Sequence, residues 1–410
     1  MTRNQILFVN LHYTPDVAAT GQNLSDLAEH LVAEGWEVSV LCGRGHYVRG
    51  RVTAPAREVR NGVYVRRFRT TVFGRRSHSL RVLSYAHFYV QAFLSVLFGD
   101  PKCPVVFLTT PPLVASIGLA TRRLRGRRYG IWSMDLHPHA EAAAGMLRES
   151  GPVYRALYAL NAHAYRSADF VVDLGSSMKQ QINNLGVSPE RQHTVNIWTR
   201  SESVQPLGRA DNALRAELGF SSETVVEYSG NAGLAHRFDI VLEAIEDLRS
   251  DDDIRFLFIG GGPQRALIEQ YAVEHRIVSF RYVDYYPRER LSESLGIGDI
   301  HLVTLSPDFA GVAVPAKFAG IMAAGRPVLF VGPSMSEVGE AIRAIGCGRV
   351  IDPSNDPEAV GTFVDTVRAW AAKPELRAEM GRRGRCAAVE EYDVEPCCRA
   401  FTEAINRHWT

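Results

Sequence analysis

Two doubly wound α/β domains in one chain are predicted by three features of the sequence. The chain is 410 residues long, more than one ordinary core accommodates and enough for two. Short apolar runs alternate with helical patterns, which marks βαβ units and a parallel sheet. That alternation stops at a polar stretch, residues 199–211, and then begins again.

The first half opens on a buried strand at residues 5–10, QILFVN. A loop at 14–22 leads into an amphipathic helix with Leu24, Leu27, Ala28 and Leu31 at helical spacing. Gly35 stops that helix, and residues 37–41 (EVSVL) form the second strand. Further strands are expected at 63–68, 105–109, 129–133, 170–174 and 194–197. In the second half strands are expected at 224–229 (TVVEYS), 254–259 (IRFLFI), 278–283, 300–305 and 327–331. The expected domains are 1–200 and 212–392. A helix over about 393–410 follows the second core and is expected to cross back onto the first domain.

Hydrophobic residues at 46% and charged residues at 22% fit an ordinary globular chain. The six cysteines lack C-x-x-C spacing, which favours reduced thiols and the cytosol. The opening MTRNQILFVN reads as a strand, so no signal peptide is inferred. The net charge of +1 conceals an asymmetry: residues 1–200 carry 24 Lys/Arg against 13 Asp/Glu, and the remainder 22 against 32. A basic half suits an anionic lipid surface or a phosphorylated substrate; two independently solvated surfaces would look the same. Residues 82–99 (VLSYAHFYVQAFLSVLFG) are uncharged and aromatic. Tyr85, His87, Tyr89, Gln91 and Ser95 interrupt the apolar run, so a surface-seated helix is expected rather than a spanning one. Arg66, Arg67, Arg69, Arg75, Arg76 and Arg81 precede it, and residues 122–128 (RRLRGRR) follow. Basic residues of this kind favour an anionic membrane, whereas a buried core helix beside solvated arginines is the plainer reading.

Three segments after strands of the second half suit an anionic ligand, because backbone N–H groups and helix starts attract negative charge. The first is Gly230-Asn231-Ala232-Gly233, read as a turn after TVVEYS, with His236 and Arg237 beyond. The second is the glycine run ending at Pro263. The third runs from Gly311 through Val314, Pro315 and Lys317 into a helix that ends at Gly325; Pro315 suits its first position. Each alone is an ordinary turn. Together they point to an anionic ligand, and the free N–H groups and Lys317 of the third would bind a diphosphate.

The order of elements resembles the GT-B glycosyltransferases of the retaining family 4 type, over nearly the whole chain. Residues 312–330 (VAVPAKFAGIMAAGRPVLF) are the most telling segment and are similar to the WbuB-like subgroup that builds bacterial surface polysaccharides. Residues 285–291 (YYPRERL), Gly346-Cys347-Gly348 and Ser229-Gly230-Asn231 stand in the subgroup's order. The resemblance implies two Rossmann-like domains facing a cleft. It implies a nucleoside-diphosphate sugar, UDP-linked, held by the second domain, with Gly230, Asn231, Gly233, Arg237, Val314, Pro315 and Lys317 around the diphosphate. The base would lie against Tyr282 and the residues after it, and the loop at Thr20-Gly21 would approach the diphosphate from the first domain. Asp135, in WSMDLHP, would bind the acceptor hydroxyl or act as its base; a loop-stabilising role is the alternative. Asp308 is the acid nearest the sugar. No metal or other cofactor is implied, and His137 and His139 beside Asp135 do not change that expectation.

The sequence departs from the family at one point. Two glutamates common in it are replaced by Val312 and Gly320. The implied function is transfer of a sugar to a membrane-held, polyprenyl-diphosphate-linked acceptor at the inner face of the cell membrane. A non-catalytic nucleotide-binding partner and a sugar-nucleotide epimerase remain as alternatives. Nucleic acid is disfavoured as a partner, because no recognition motif accompanies the basic segments. A nicotinamide dehydrogenase is disfavoured because the first strand–loop–helix lacks G-x-G-x-x-G.

Overall fold

The computed structural model describes residues 4–16, 18–44, 54–69 and 78–409, without the side chains of 78–83. The described chain forms two compact units, Met1–Asn196 with Val394–Thr410, and Ile197–Asp393. Residues 199–211, expected as a polar joint, lie in the second unit: Thr199 bridges Asp393, whose carboxylate also accepts from the Ser201 backbone N–H at 3.1 Å.

The first unit contains β1 Gln5–Val9, α1 Ala19–Ala33, β2 Glu37–Gly43, β3 Arg57–Arg60, β4 Val63–Phe68 and α2 His78–Phe98. It continues with β5 Val105–Leu108, α3 Ala115–Arg125, β6 Tyr129–Trp132, α4 His139–Ala143 and α5 Pro152–Ser167. β7 Val171–Asp173, α6 Ser176–Asn184 and β8 Gln192–Thr194 complete its sheet, in the order β3-β4-β2-β1-β5-β6-β7-β8. All pairs are parallel except β3 with β4. The strand expected at 194–197 is instead 192–194, because β7 offers its backbone partners at 171–173 opposite Gln192, His193 and Thr194. Strand β3 was not expected: its REVR sequence lies on an exposed edge and carries no apolar signal.

The second unit contains α7 Ala213–Glu217, β9 Thr224–Asn231, α8 Asp239–Asp247, β10 Ile254–Gly261, α9 Arg265–Glu274 and β11 Phe280–Val283. α10 Leu291–Gly296, β12 Ile300–Thr304, α11 Lys317–Ala323, β13 Val328–Val331, α12 Glu337–Ile345 and β14 Gly348–Ile351 follow. α13 Ala359–Ala371 and α14 Pro374–Glu390 end it. Its sheet is wholly parallel in the order β11-β10-β9-β12-β13-β14. Period-two alternation sorts β10 onto two cores: Phe256 and Phe258 join one, Leu257 and Ile259 the other. Each such fully buried side chain contributes about 1.5–3 kcal/mol of transfer free energy.

The last helix, α15 Val394–Trp409, packs in the first unit. Cys397, Cys398, Phe401, Ala404 and Ile405 form its buried stripe. Phe401 meets Trp132 edge-on at 4.8 Å, and the Trp409 indole N–H donates to Asp169 at 3.0 Å.

Candidate functional site

In the second unit the strand order reverses beside β9: β10 lies on one side of it and β12 on the other. Open parallel sheets bind ligands at the carboxyl ends of strands at such a reversal. The predicted GNAG turn is corrected there. β9 does not stop at Ser229 but pairs with β10 through Gly230↔Gly260 and Asn231↔Gly261. Both glycines have left-handed backbone, φ +139 and +135, and a Cβ on Gly260 would lie 2.2 Å from the Gly230 carbonyl oxygen. Glycine is required because the two strand ends touch. Gly233 turns the chain after them, and a Cβ there would meet the Asn231 side-chain amide at 2.9 Å.

Lys317 is the basic side chain of this corner. A Cβ on Gly230 would stand 3.1 Å from its Nζ. Its Nζ lies 3.6 Å from the centre of the Tyr228 ring, the geometry of a cation–π contact once the amine is protonated. Although the residue as a whole is partly exposed, Nζ is buried and has no hydrogen-bond partner. Desolvation therefore lowers its pKa well below the ordinary lysine value. Helix α11 begins at Lys317 itself, so Pro315 precedes the cap rather than opening the helix. Val314 is half-buried and Pro315 buried. With only seven residues in α11, the charge at this corner comes from the lysine, not from a helix dipole.

His236 is the neighbour that sequence reading passed over as a mere flanking residue. Its Nδ1 stands 2.6 Å from the Thr304 carbonyl oxygen, which fixes the hydrogen there and leaves Nε2 as an acceptor. Burial, and then the nearby Lys317, hold its pKa down to about 3. It is a neutral partner, not a counter-charge. Gln264 ties the loop by donating to Gly233 O at 2.6 Å and His236 O at 2.9 Å.

Arg237 is exposed, and its guanidinium is engaged by Asp239, Nε donating at 3.1 Å. Asp308, in a one-turn helix at Pro307–Phe309, is exposed and acts electrostatically on Arg237. Tyr282 is placed differently from expectation. Its ring packs on Phe258 and lies under Arg265 at 4.5 Å, on the core side of β11. Tyr285 is the aromatic residue against the glycine pair, 3.1 Å from a Cβ on Gly260. Val312 is buried, and a Cβ on Gly320 would face Leu295.

In the first unit Gly21 is not in a loop. It lies in the first turn of α1, buried, where a Cβ would come 3.0 Å from the His12 backbone. The glycine serves close packing of the β1–α1 segment, whose His12 and Asp16 pair at 2.6 Å. Asp135 follows β6. The Thr109 hydroxyl oxygen accepts from the Met134 and Asp135 N–H groups at 3.1 and 2.9 Å. Burial raises the Asp135 pKa, which His137 partly offsets. His137 is itself paired with Glu141 at 2.8 Å and held through Asn161, whose amide donates to His137 O at 2.6 Å. A carboxylate with a raised pKa is a better proton acceptor at neutral pH. Among the described residues no His/Cys/Asp/Glu group has metal-site geometry.

The basic segments are partly structural. Buried Arg127 donates to Val96 O at the end of α2, and Arg128 to Trp409 O at the end of α15. Arg122 binds Ser167 O and Asp169, and Arg123 meets His163. The expected cluster at 122–128 is therefore spent largely on helix ends and internal pairs. Arg75 and Arg76 lie outside the described residues, as does the side chain of Arg81. Helix α2 buries Phe88, Ala92 and Val96 and exposes Val90, Leu94 and Phe98. No described helix is long and apolar enough to cross a membrane.

Two family models match this chain in succession: the Glycosyl transferase 4-like domain over residues 19–198 and Glycosyl transferases group 1 over 211–386. WbjE of Pseudomonas aeruginosa, assigned as a glycosyltransferase, is 28% identical over 264 residues, 64% of each chain. WcaI of Escherichia coli K12, assigned to colanic acid biosynthesis as a glycosyl transferase, is 24% identical over 98% of this chain and 100% of its own. The crystal structure of Anabaena HepE in complex with UDP and glucose superposes with a TM-score of 0.71 at 13% identity, covering 98% of this chain and 99% of that one.

Proposed function

Because the chain belongs to the GT-B glycosyltransferases of the family 4 type, we propose that it moves a sugar, with retention, from a UDP-linked donor to a lipid-linked acceptor in surface polysaccharide assembly. The observation that carries this reading is the buried Lys317 Nζ without a hydrogen-bond partner, set beside the Gly230–Gly260 contact at the sheet reversal. A diphosphate is the anion that would complete it: glycine backbone admits phosphate closely, and the ammonium supplies charge and donors. Stabilisation of the leaving diphosphate is assigned to these protein groups, with no metal invoked. The UDP in HepE and the polysaccharide role of WcaI support the donor and the pathway class by likeness alone.

On the acceptor side, Asp135 receives or positions the acceptor hydroxyl. The exposed Val90, Leu94 and Phe98 of α2 form an apolar strip suited to shallow insertion at the cytoplasmic leaflet, where a polyprenyl-linked acceptor has its head group. A non-catalytic nucleotide-binding role is the second reading, favoured by Val312 and Gly320 where carboxylates are common in the family. Incubation of the protein with labelled UDP-sugars and an extracted polyprenyl-phosphate-linked sugar separates the two. Label in the lipid fraction supports transfer. Saturable nucleotide binding with no transfer from any donor leaves the non-catalytic reading.

A further inference from the structure

The donor corner holds one titratable group in an unusual position, and its surroundings determine what a ligand must do to it. Lys317 Nζ is buried, touches the Tyr228 ring at 3.6 Å and has no acceptor for its hydrogens. An ammonium carries three donors, and leaving them unmatched out of water is costly unless the group gives up its proton. The aromatic face offsets only part of that cost.

The other titratable groups described around this corner do not change charge near neutrality. From β9, the Tyr228 hydroxyl is engaged as a donor to Asn231 O at 3.0 Å, and burial raises its pKa further. From the β9–α8 loop, His236 is neutral, its Nδ1–H given to Thr304 O. From β11, burial pushes the Tyr282 hydroxyl up to about 12. Beyond them Arg237 stays charged, paired with Asp239 and near Asp308. Among the described residues of this corner, the lysine is thus the group whose protonation responds to an arriving anion.

We propose that a nucleoside diphosphate binding at this corner draws a proton onto Lys317, so that binding takes up about one proton and weakens as the solution becomes alkaline. This rests on the donor-site reading above and adds a pH dependence to it. The proton comes from solvent and adds to the Nζ lone pair, converting a neutral amine into the ammonium that meets the phosphate oxygens; no bond of the ligand changes. Desolvation of the free amine, which lowers its pKa, supports the direction of the change.

The test is isothermal titration calorimetry of the full chain with UDP, GDP, dTDP and ADP at about pH 8, where the ligand's own terminal phosphate is fully ionised. Each titration is run in Tris and in HEPES, whose ionisation enthalpies differ. For a nucleotide that binds, the observed enthalpy should shift between buffers by an amount equal to nearly one proton taken up. Affinity should fall between about pH 7 and about pH 9, approaching tenfold per pH unit where uptake is complete. The Lys317→Gln variant should bind more weakly at about pH 7 and show neither the buffer dependence nor the pH slope. Nucleotide binding with equal enthalpy in both buffers overturns the proton uptake while leaving the donor site standing. An unchanged buffer dependence in Lys317→Gln, with its fold verified by melting temperature, places the proton elsewhere and also overturns it. Binding of none of the four nucleotides removes the donor-site reading and this inference with it.

Discussion

Asp135 is the residue whose chemistry is easiest to isolate. Its carboxyl is buried, its backbone is fixed through Thr109, and its raised pKa makes it a competent proton acceptor. Asn has nearly the same shape and cannot accept a proton. Asp135→Asn is expected to lower transfer on the order of 10²–10⁴-fold while leaving donor affinity within about twofold. Wild-type turnover in that variant would reduce Asp135 to a part of the loop. Gly21 carries the opposite lesson. Sequence placed it in a ligand-facing loop, yet it sits inside α1 against the His12 backbone. Nothing in the local pattern distinguishes a glycine needed for packing from one needed for a ligand.

Among the elements, the paired glycine ends of β9 and β10 are a tightly constrained feature of the donor corner. Gly260→Ala forces a Cβ to within 2.2 Å of the Gly230 carbonyl oxygen at a left-handed φ. The expected cost is about 2–4 kcal/mol, from strain and overlap together, read as a lowered urea midpoint at unchanged slope. A variant as stable as wild type would mean that the strand ends separate freely. Helix α2 gives a second expectation. If its exposed strip seats in lipid, Leu94→Asp with Phe98→Asp should reduce co-sedimentation with anionic vesicles several-fold without changing melting temperature, and equal recovery would assign that face to solvent. The buried strands of both sheets were legible in sequence because parallel strands read as apolar runs bounded by glycine. β3 (REVR) and β14 (GRVI) were not, being four-residue edge strands, β3 mostly exposed and β14 with Ile351 alone fully buried. The glycine turn became a strand because its cause is a partner, β10, that no local window contains. Lys317 was legible as a candidate phosphate ligand. Its isolation over Tyr228 was not, since that depends on how β9 and α11 pack.

Across the whole molecule, acid stability follows from histidines buried neutral in both units. His236 and His301 in the second unit are held at about 3 by burial, and half-exposed His193 in the first at about 4. Their pKa values are depressed on folding, so the unfolded chain binds more protons below about pH 6.5. Stability is therefore intact above that pH and is lost as pH falls toward the folded values, by at most about 1.4 kcal/mol per pH unit for each of the two buried groups. Glu227 acts against this. Burial raises it to about 8, so it favours the folded state on acidification until about pH 4.5, and the net decline should steepen below that point. His301→Gln should flatten the melting-temperature profile between about pH 6.5 and about pH 4. A profile flat in the wild type would contradict the neutral burial of these histidines. A nucleoside-diphosphate site built around Lys317 is open to equilibrium titration of UDP against wild type and Lys317→Met at about pH 7. Met keeps the stem of the side chain and removes an uncompensated buried amine, so the variant should melt no lower than wild type. The wild type should bind UDP saturably and the variant on the order of 10- to 100-fold more weakly, the loss of one charge-assisted contact. Equal UDP affinity in the two proteins would contradict that site.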